Sequence, residues 1–415
     1  MHFGWLRSTF RASSHVNVAL ALVLASGFTL ASCMLLGHPE RRALPQLDLP
    51  FLQPSPRGEL HVVLLALDGV RHREIFDGTD LVLVRSQRLP AEQHQTAREL
   101  MPNLHALIDG QGAALGSASM LSASGPNFVS LPGYTEMLTG RRVTACRDNY
   151  CTRGGAPTIL DACAALSEVA IEDCAAVTSW PNISRVVAER SERAAVSTGR
   201  HGGVTRSLVS AASRGALLQA ERSSPFPGHG DFRPDAHTAR IALSHFDQHQ
   251  PRVMFIGLGE PDEYAHRNDY SNYLGALRAA DRLIGEISTR LDRLAAKGER
   301  TAFFVTTDHG RADGFVSHGG AFAESARIWL VASGTEIRGR GRLRAASPRF
   351  LADVAPTIRR LADMPEDRHQ HAGSVLDELL RAPPASGFDA PVQSDQEFGQ
   401  RPGRNHTGSD AQHGG

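Results

Sequence analysis

The sequence has no surplus of either charge. Forty-four Lys and Arg balance 44 Asp and Glu over 415 residues, so the formal net charge is zero. No block of basic residues breaks that balance, which removes the electrostatic footprint expected of a nucleic-acid-binding protein. Cysteine is scarce, with five in all, and none falls in a C-x-x-C spacing. A zinc site built from thiolates is therefore disfavoured. No internal repeat is evident. The longest apolar run near the N-terminus, residues 16–30, is too short and too rich in small flanking residues for a membrane span. Histidine, by contrast, is abundant at 19 residues, which prompts a search for metal ligands. The length is ample for one large α/β domain or two smaller ones.

Arg7 and Arg11 precede the 16–30 run, which closes in Leu30-Ala31-Ser32-Cys33. A basic start, a short apolar stretch and small residues before a break describe a secretory signal. The last four residues also resemble the bacterial lipoprotein signal, in which the Cys becomes the lipidated mature N-terminus. The alternative is an ordinary cleaved signal with an incidental Cys33. Residues 1–33 are thus expected to be a signal, 34–58 a Pro- and Arg-rich tether, 59–380 the catalytic domain, and 381–415 a disordered tail poor in apolar residues. With Met34 following Cys33, the expected location is a bacterial cell envelope, at the outer membrane or periplasm, or else outside the cell. The membrane would be a partner through the lipid. The four remaining Cys are an even number in an exported chain, which suggests two disulfides. Cys146–Cys151 with Cys163–Cys174 is the local pairing among three connectivities.

Three apolar runs without alternation, residues 61–67, 252–258 and 301–307, read as strands buried on both faces, as in a parallel sheet. Helices are expected over 101–108, 157–166, 236–246, 270–297 and 350–361, further strands over 169–177 and 327–332, and mostly loops over 188–230 with one helix near 215–222. Each of the three long strands runs into polar residues: Asp68-Gly69, then Asp262 with His266 four residues on, then Asp308-His309-Gly310 and His318. In open α/β sheets, functional groups gather at the carboxyl ends of strands. One turn of helix would put Asp262 and His266 on the same face.

Ser130 precedes Pro132 by two residues at the start of an expected helix that ends in Leu138-Thr139-Gly140. Pro suits a first helical turn, and a hydroxyl there faces unpaired N–H groups that favour an anion. That is a place for a nucleophile attacking phosphate or sulfate. Ser is equally a preferred N-cap. Three carboxylates and three imidazoles suffice to hold two divalent ions, and mixed His and carboxylate ligation suits Zn²⁺, with Mn²⁺ as the alternative.

In the order Asp68, Ser130-x-Pro132, Leu138-Thr139-Gly140, Asp262-x-x-x-His266, Asp308-His309-Gly310, His318, the chain resembles the alkaline phosphatase superfamily, nearest to its phosphodiesterase and nucleotide pyrophosphatase branch. The likeness covers about residues 60 to 365, and Asp353 to Thr357 resembles a helix common near the end of such domains. It implies a three-layer αβα sandwich with a mostly parallel central sheet. It implies one ion on Asp68, Asp308 and His309 and another on Asp262, His266 and His318, with Ser130 transiently phosphorylated. Asn127 and Asn149 are the candidate phosphate contacts. The expected activity is hydrolysis of small phosphate mono- or diesters. A transferase or mutase, a sulfatase, or a silent ligand-binding relative are the alternatives. The nucleophile of the diesterase branch is usually Thr, and its last His usually lies further downstream than His318. In sulfatases a Ser-Arg pair stands where this chain has Gly133-Tyr134.

Overall fold

A computed structural model describes residues 58–381, apart from 143–145, 153, 189–190 and 210. The expected signal with Cys33, and all but the last residue of the tether and the first of the tail, lie outside the described residues. No helix among the described residues is long and apolar enough to cross a membrane.

Among the described residues eleven strands are present: β1 (Leu60–Leu67), β2 (Ala113–Leu115), β3 (Leu121–Ser122), β4 (Cys174–Thr178), β5 (Ala195–Thr198), β6 (Val253–Leu258), β7 (Arg300–Thr306), β8 (Arg327–Ile328), β9 (Leu330–Ser333), β10 (Gly341–Arg342) and β11 (Arg349–Phe350). Eight form one sheet in the order β10-β2-β9-β7-β1-β6-β4-β5, and β11-β3-β8 form a small second one. The five strands from β7 to β5 run parallel, with β1 at their heart between β6 and β7. Within the large sheet β9 alone opposes its neighbours, β7 and β2, and in the small sheet β8 opposes β3. The helices are α1 (His72–Phe76), α2 (Leu81–Ser86), α3 (Ala97–Leu100), α4 (Pro102–Asp109), α5 (Ser130–Thr139), α6 (Ile159–Cys163), α7 (Ala211–Arg222), α8 (Asp235–His249), α9 (Glu260–His266), α10 (Tyr270–Ala295) and α11 (Val354–Leu361).

The unbroken apolar character of β1 follows from its place in the sheet. Val62, Leu64 and Ala66 enter one core with Leu131 and Met137 of α5, Ile159 of α6 and Ile358 of α11. Val63, Leu65 and Leu67 enter the other with Leu104 of α4, Ile241 of α8 and Leu277 and Ile284 of α10. Successive side chains point to opposite faces, so a strand covered on both sides has no polar position. Helices on two faces of one sheet make the expected three-layer αβα sandwich.

The stretch expected as one strand over 327–332 is two. Trp329 turns inward between β8 and β9, fully buried, and its indole donates to Val70 O at 3.0 Å. That places β8 in the small sheet and β9 in the large one. β5 falls in the stretch read as loops; its four residues are wholly buried. The disulfides follow the local pairing, Cys146–Cys151 and Cys163–Cys174.

Candidate active site

Strand register brings the polar residues together. Leu67 of β1 lies opposite Leu258 of β6, and Ala66 opposite Thr306 of β7. Asp68, the start of α9 and Asp308 therefore emerge side by side at the carboxyl edge of the sheet. Gly69 N donates to Asp308 Oδ1 at 3.0 Å and Val70 N to Thr307 Oγ1 at 3.1 Å, which stitches the two strand ends. A Cβ on Gly69 would meet Asp262 Oδ1 at 2.3 Å, and its φ is +61°, so only glycine fits this turn.

Ser130 is the first residue of α5, and Val129 is the N-cap, with no side-chain capping bond. The hydroxyl instead donates to Asp68 Oδ1 at 3.2 Å and lies 3.3 Å from His309 Nε2. It is aimed into the cluster and does not serve as a cap. A Cβ on Gly133 would meet Asp308 O at 2.4 Å, so the helix packs tight against the Asp308 backbone. Tyr134, one residue on, donates to Asp68 Oδ2 at 3.1 Å. Burial first, then the nearby carboxylates, raise its phenol well above the usual range, so it stays a donor.

Two sets of three groups have ligand atoms within 4.8 Å of one another: Asp68, Asp308 and His309, and Asp262, His309 and His318. His266 Nε2 adjoins the second set, 3.1 Å from Asp262 Oδ2 and 3.0 Å from His318 Nε2. All six expected ligands thus converge, with His309 shared between the halves. The rings of His309 and His318 stack at 4.0 Å.

The donor set fits divalent cations on its own chemistry. Asp308 Oδ2 is buried with no hydrogen-bond partner, an orphaned carboxylate oxygen facing His309 Nε2 at 3.4 Å. His309 Nδ1 meets Gly310 O at 2.9 Å and His318 Nδ1 meets Phe128 O at 2.8 Å. A bond to a carbonyl requires the proton on Nδ1, which leaves each Nε2 lone pair free for an ion. Burial lowers His309 to about 4, and burial with His309 lowers His318 to about 3, so both rings are neutral. Burial, then the neighbouring carboxylates Asp308 and Asp262, raise Asp68. Asp308 is likewise pushed up by burial, against the N–H of Gly69. Carboxylates crowded in low dielectric without a cation resist ionising, and a bound cation reverses that.

A cleft of about 330 Å³ opens over Ser130, Asp68 and Asp262. Asn149 lines it and accepts from Leu131 N at 3.0 Å, beside the nucleophile. Asn127 does not line it; its Nδ2 donates to Arg147 O at 2.6 Å and fastens the disulfide loop to the segment before α5. Tyr150, Trp180, Asn182, His229, Phe232, Gly259, Glu263 and His266 complete the walls, and among the described residues that line the cleft none is Arg or Lys. The sequence reading missed Arg311, whose buried guanidinium bonds Asp262, and Tyr134. The only signal for either was adjacency to a motif.

A model of the Metalloenzyme superfamily matches residues 61–365. Among curated proteins no match is found. Among solved structures, the alkaline phosphatase PafA is similar at a TM-score of 0.51 and 12% identity, over 79% of this chain and 99% of that one. A phosphonate monoester hydrolase of Agrobacterium radiobacter aligns at 0.47 and 14% identity, over 77% of each chain. BT1596, a 2-O GAG sulfatase, aligns at 0.47 and 13%, over 78% and 74%. At these identities the likeness to PafA is one of fold.

Proposed function

The chain belongs to the Metalloenzyme superfamily, the alkaline phosphatase-like metalloenzymes, and from that premise we propose that it is a metal-dependent phosphohydrolase with Ser130 as nucleophile and phosphate diesters as substrates. The observation that carries this is the Ser130 hydroxyl at the start of α5, 3.2 Å from Asp68 Oδ1, inside a donor set with an orphaned carboxylate oxygen. Asp68, Asp308 and His309 would hold one divalent ion and Asp262, His266 and His318 the other. Bound ions would neutralise phosphoryl charge and make Ser130 and water better nucleophiles.

The residues do the rest. As Oγ bonds to phosphorus the bond from phosphorus to the ester oxygen breaks; the Ser130 proton passes by way of water to that oxygen, which leaves as the alcohol, while Asp68 Oδ1, 3.2 Å away, orients Oγ. In the second step water forms its bond to phosphorus as the phosphoserine bond breaks, and a proton returns to Oγ. Asn149, held beside Ser130 by its bond from Leu131 N, would offer its amide Nδ2 to an anion at that spot. A monoester carries two negative charges and a diester one. Cleft walls without Arg or Lys supply no permanent cation for the second charge; His229 is the one further basic group among the described lining residues outside the ligand set. The amides of Asn149 and Asn182 and the rings of Tyr150, Trp180 and Phe232 offer neutral surface for an organic substituent instead.

The test compares p-nitrophenyl phosphate with methyl p-nitrophenyl phosphate, with Zn²⁺ or Mn²⁺, beside Ser130→Ala. Faster turnover of the diester, lost by about a thousandfold or more in the variant, is expected. Faster turnover of the monoester would replace the diester reading with a phosphatase. Ion binding without turnover of either would leave a transferase or a silent relative. We further propose, from residues 1–33, that the protein is exported and held in a bacterial envelope through Cys33.

A further inference from the structure

Arg311 lies two residues beyond His309 and reaches the ligand cluster from behind. Its side chain is fully buried. Nε donates to Phe315 O at 2.7 Å, Nη2 to Val316 O at 2.6 Å, and Nη1 to Asp262 Oδ1. Two backbone carbonyls thus fix the guanidinium, and its one carboxylate partner is Asp262. The pair is pressed against Gly69, where an added Cβ would meet Asp262 Oδ1 at 2.3 Å and Arg311 Nη1 at 2.8 Å. Neither partner has room to swing aside there.

The two halves of the site therefore differ in charge. Among the described residues, Asp68 and Asp308 hydrogen-bond only neutral donors: Ser130, Tyr134 and the N–H of Gly69. That half offers two uncompensated carboxylates. Asp262 is the carboxylate that His266 and His318 pair with, at 3.1 and 3.9 Å, and the Arg311 guanidinium bonds it directly. The formal charge of that half is cancelled before an ion arrives. Affinity for a hard divalent cation tracks the charge of its ligands and falls when a fixed positive charge lies close by.

We infer that Arg311 makes the two ion sites unequal: one held tightly by Asp68, Asp308 and His309, and one held weakly by Asp262, His266 and His318. This rests on the two-ion reading above. The resting protein holds a single ion beside Ser130, and the second half fills only when the ion is plentiful. Arg311 is a positioning residue; it touches Asp262 and does not line the cleft.

The test is calorimetric titration of the full chain with Zn²⁺, with metal analysis after gel filtration. Two binding steps separated by about a hundredfold in Kd, and one ion retained per chain, are expected. Two ions of equal affinity would overturn the inference, and ester turnover in the same preparation would show that the hydrolase reading survives it. Asp68→Asn should remove the tight step and Asp262→Asn only the weak one; the reverse assignment would also overturn it. Arg311→Met should bring the weak step to within about tenfold of the tight one, whereas Arg311→Lys should keep them apart. A folded Arg311→Met protein with its weak step unchanged would remove Arg311 from the account. If that variant does not fold, the wild-type titration alone decides. No Zn²⁺ binding at all would overturn this inference and the metal-dependent reading together.

Discussion

Tyr134 donates to Asp68 Oδ2 from a wholly buried position, so Tyr134→Phe leaves one oxygen of a metal-facing carboxylate without its partner. A hydrogen bond of this kind contributes about 1–2 kcal/mol, and kcat/KM should fall about fivefold to thirtyfold with the circular dichroism unchanged. Gly133→Ala acts differently. Its Cβ must displace Asp308 O, now 2.4 Å from that point, so the helix and the ligand loop must part. Activity should fall by about tenfold or more, together with the ion content of the purified protein. The motif residues Asp68, Asp262, Asp308 and His309 were legible because each follows an apolar strand, and His266 and His318 because of their spacing to them. Tyr134 and Arg311 were not. An aromatic one residue past a glycine reads as core, and an Arg in a glycine-bearing loop reads as solvated surface. Only the three-dimensional approach of β1, α5 and the 308–318 loop turns them toward carboxylates. Asn127 lies outside the cleft lining for the converse reason, since proximity to Ser130 in sequence did not decide where its amide would bond.

At the level of elements, the site is held by helix ends that satisfy one another. Asp235 opens α8 and accepts from Gly259 N and Glu260 N at the start of α9, while Glu260 accepts in turn from Asp235 N. Each helix thus caps the other, and α9 carries Asp262 and His266. The disulfide loop acts similarly for Asn149: removing Cys146–Cys151 by paired Ser substitutions should raise KM for a diester several-fold while leaving kcat closer to wild type. α5 is tied to the segment before α11 through Glu136, whose carboxylate accepts from Ser124 N, Ser124 Oγ and Ala352 N. Burial outweighs those donors and pushes Glu136 up to about 7. A carboxyl raised on folding contributes stability that is complete below its unfolded value near 4.5 and lost as pH rises through the folded one. The Tm of the wild type should therefore decline relative to Glu136→Gln between about pH 4.5 and 7, by the equivalent of about 3 kcal/mol at most, and run parallel above that. Parallel curves throughout would mean that Glu136 is ionised in the fold. The long elements were plain in the sequence: β1, β6, β7 and α10 carry continuous or periodic apolar patterns. β5 was hidden because four residues of Ala, Val, Ser and Thr look like the Ser-rich loops around them, and their burial comes from β4 and the covering helices.

For the whole molecule, two consequences can be measured. Ions that bind only the folded chain stabilise it by mass action, about 2.7 kcal/mol at a hundred times Kd. Chelation should thus lower Tm by roughly 4 °C and abolish turnover, with both restored by Zn²⁺ or Mn²⁺. For the envelope location, Cys33→Ala should move the expressed protein from the membrane pellet to the soluble fraction, and an unchanged distribution would sink the lipid anchor. The central strand bears on what such a leash would do. β1 enters the sheet at Leu60 and delivers Asp68 at its far end, about 26 Å away for eight extended residues. A leash on the N-terminus would pull at one rim of the sheet, and Asp68 stands at the other. A pull on the N-terminus loads β1 lengthwise, in shear against the parallel ladders to β6 and β7, and every hydrogen bond of both ladders must yield together before the strand slides. The load spreads over the sheet before it reaches the catalytic rim. A protein fixed to a bead through residues 1–57 should consume dissolved substrate as fast as a free one.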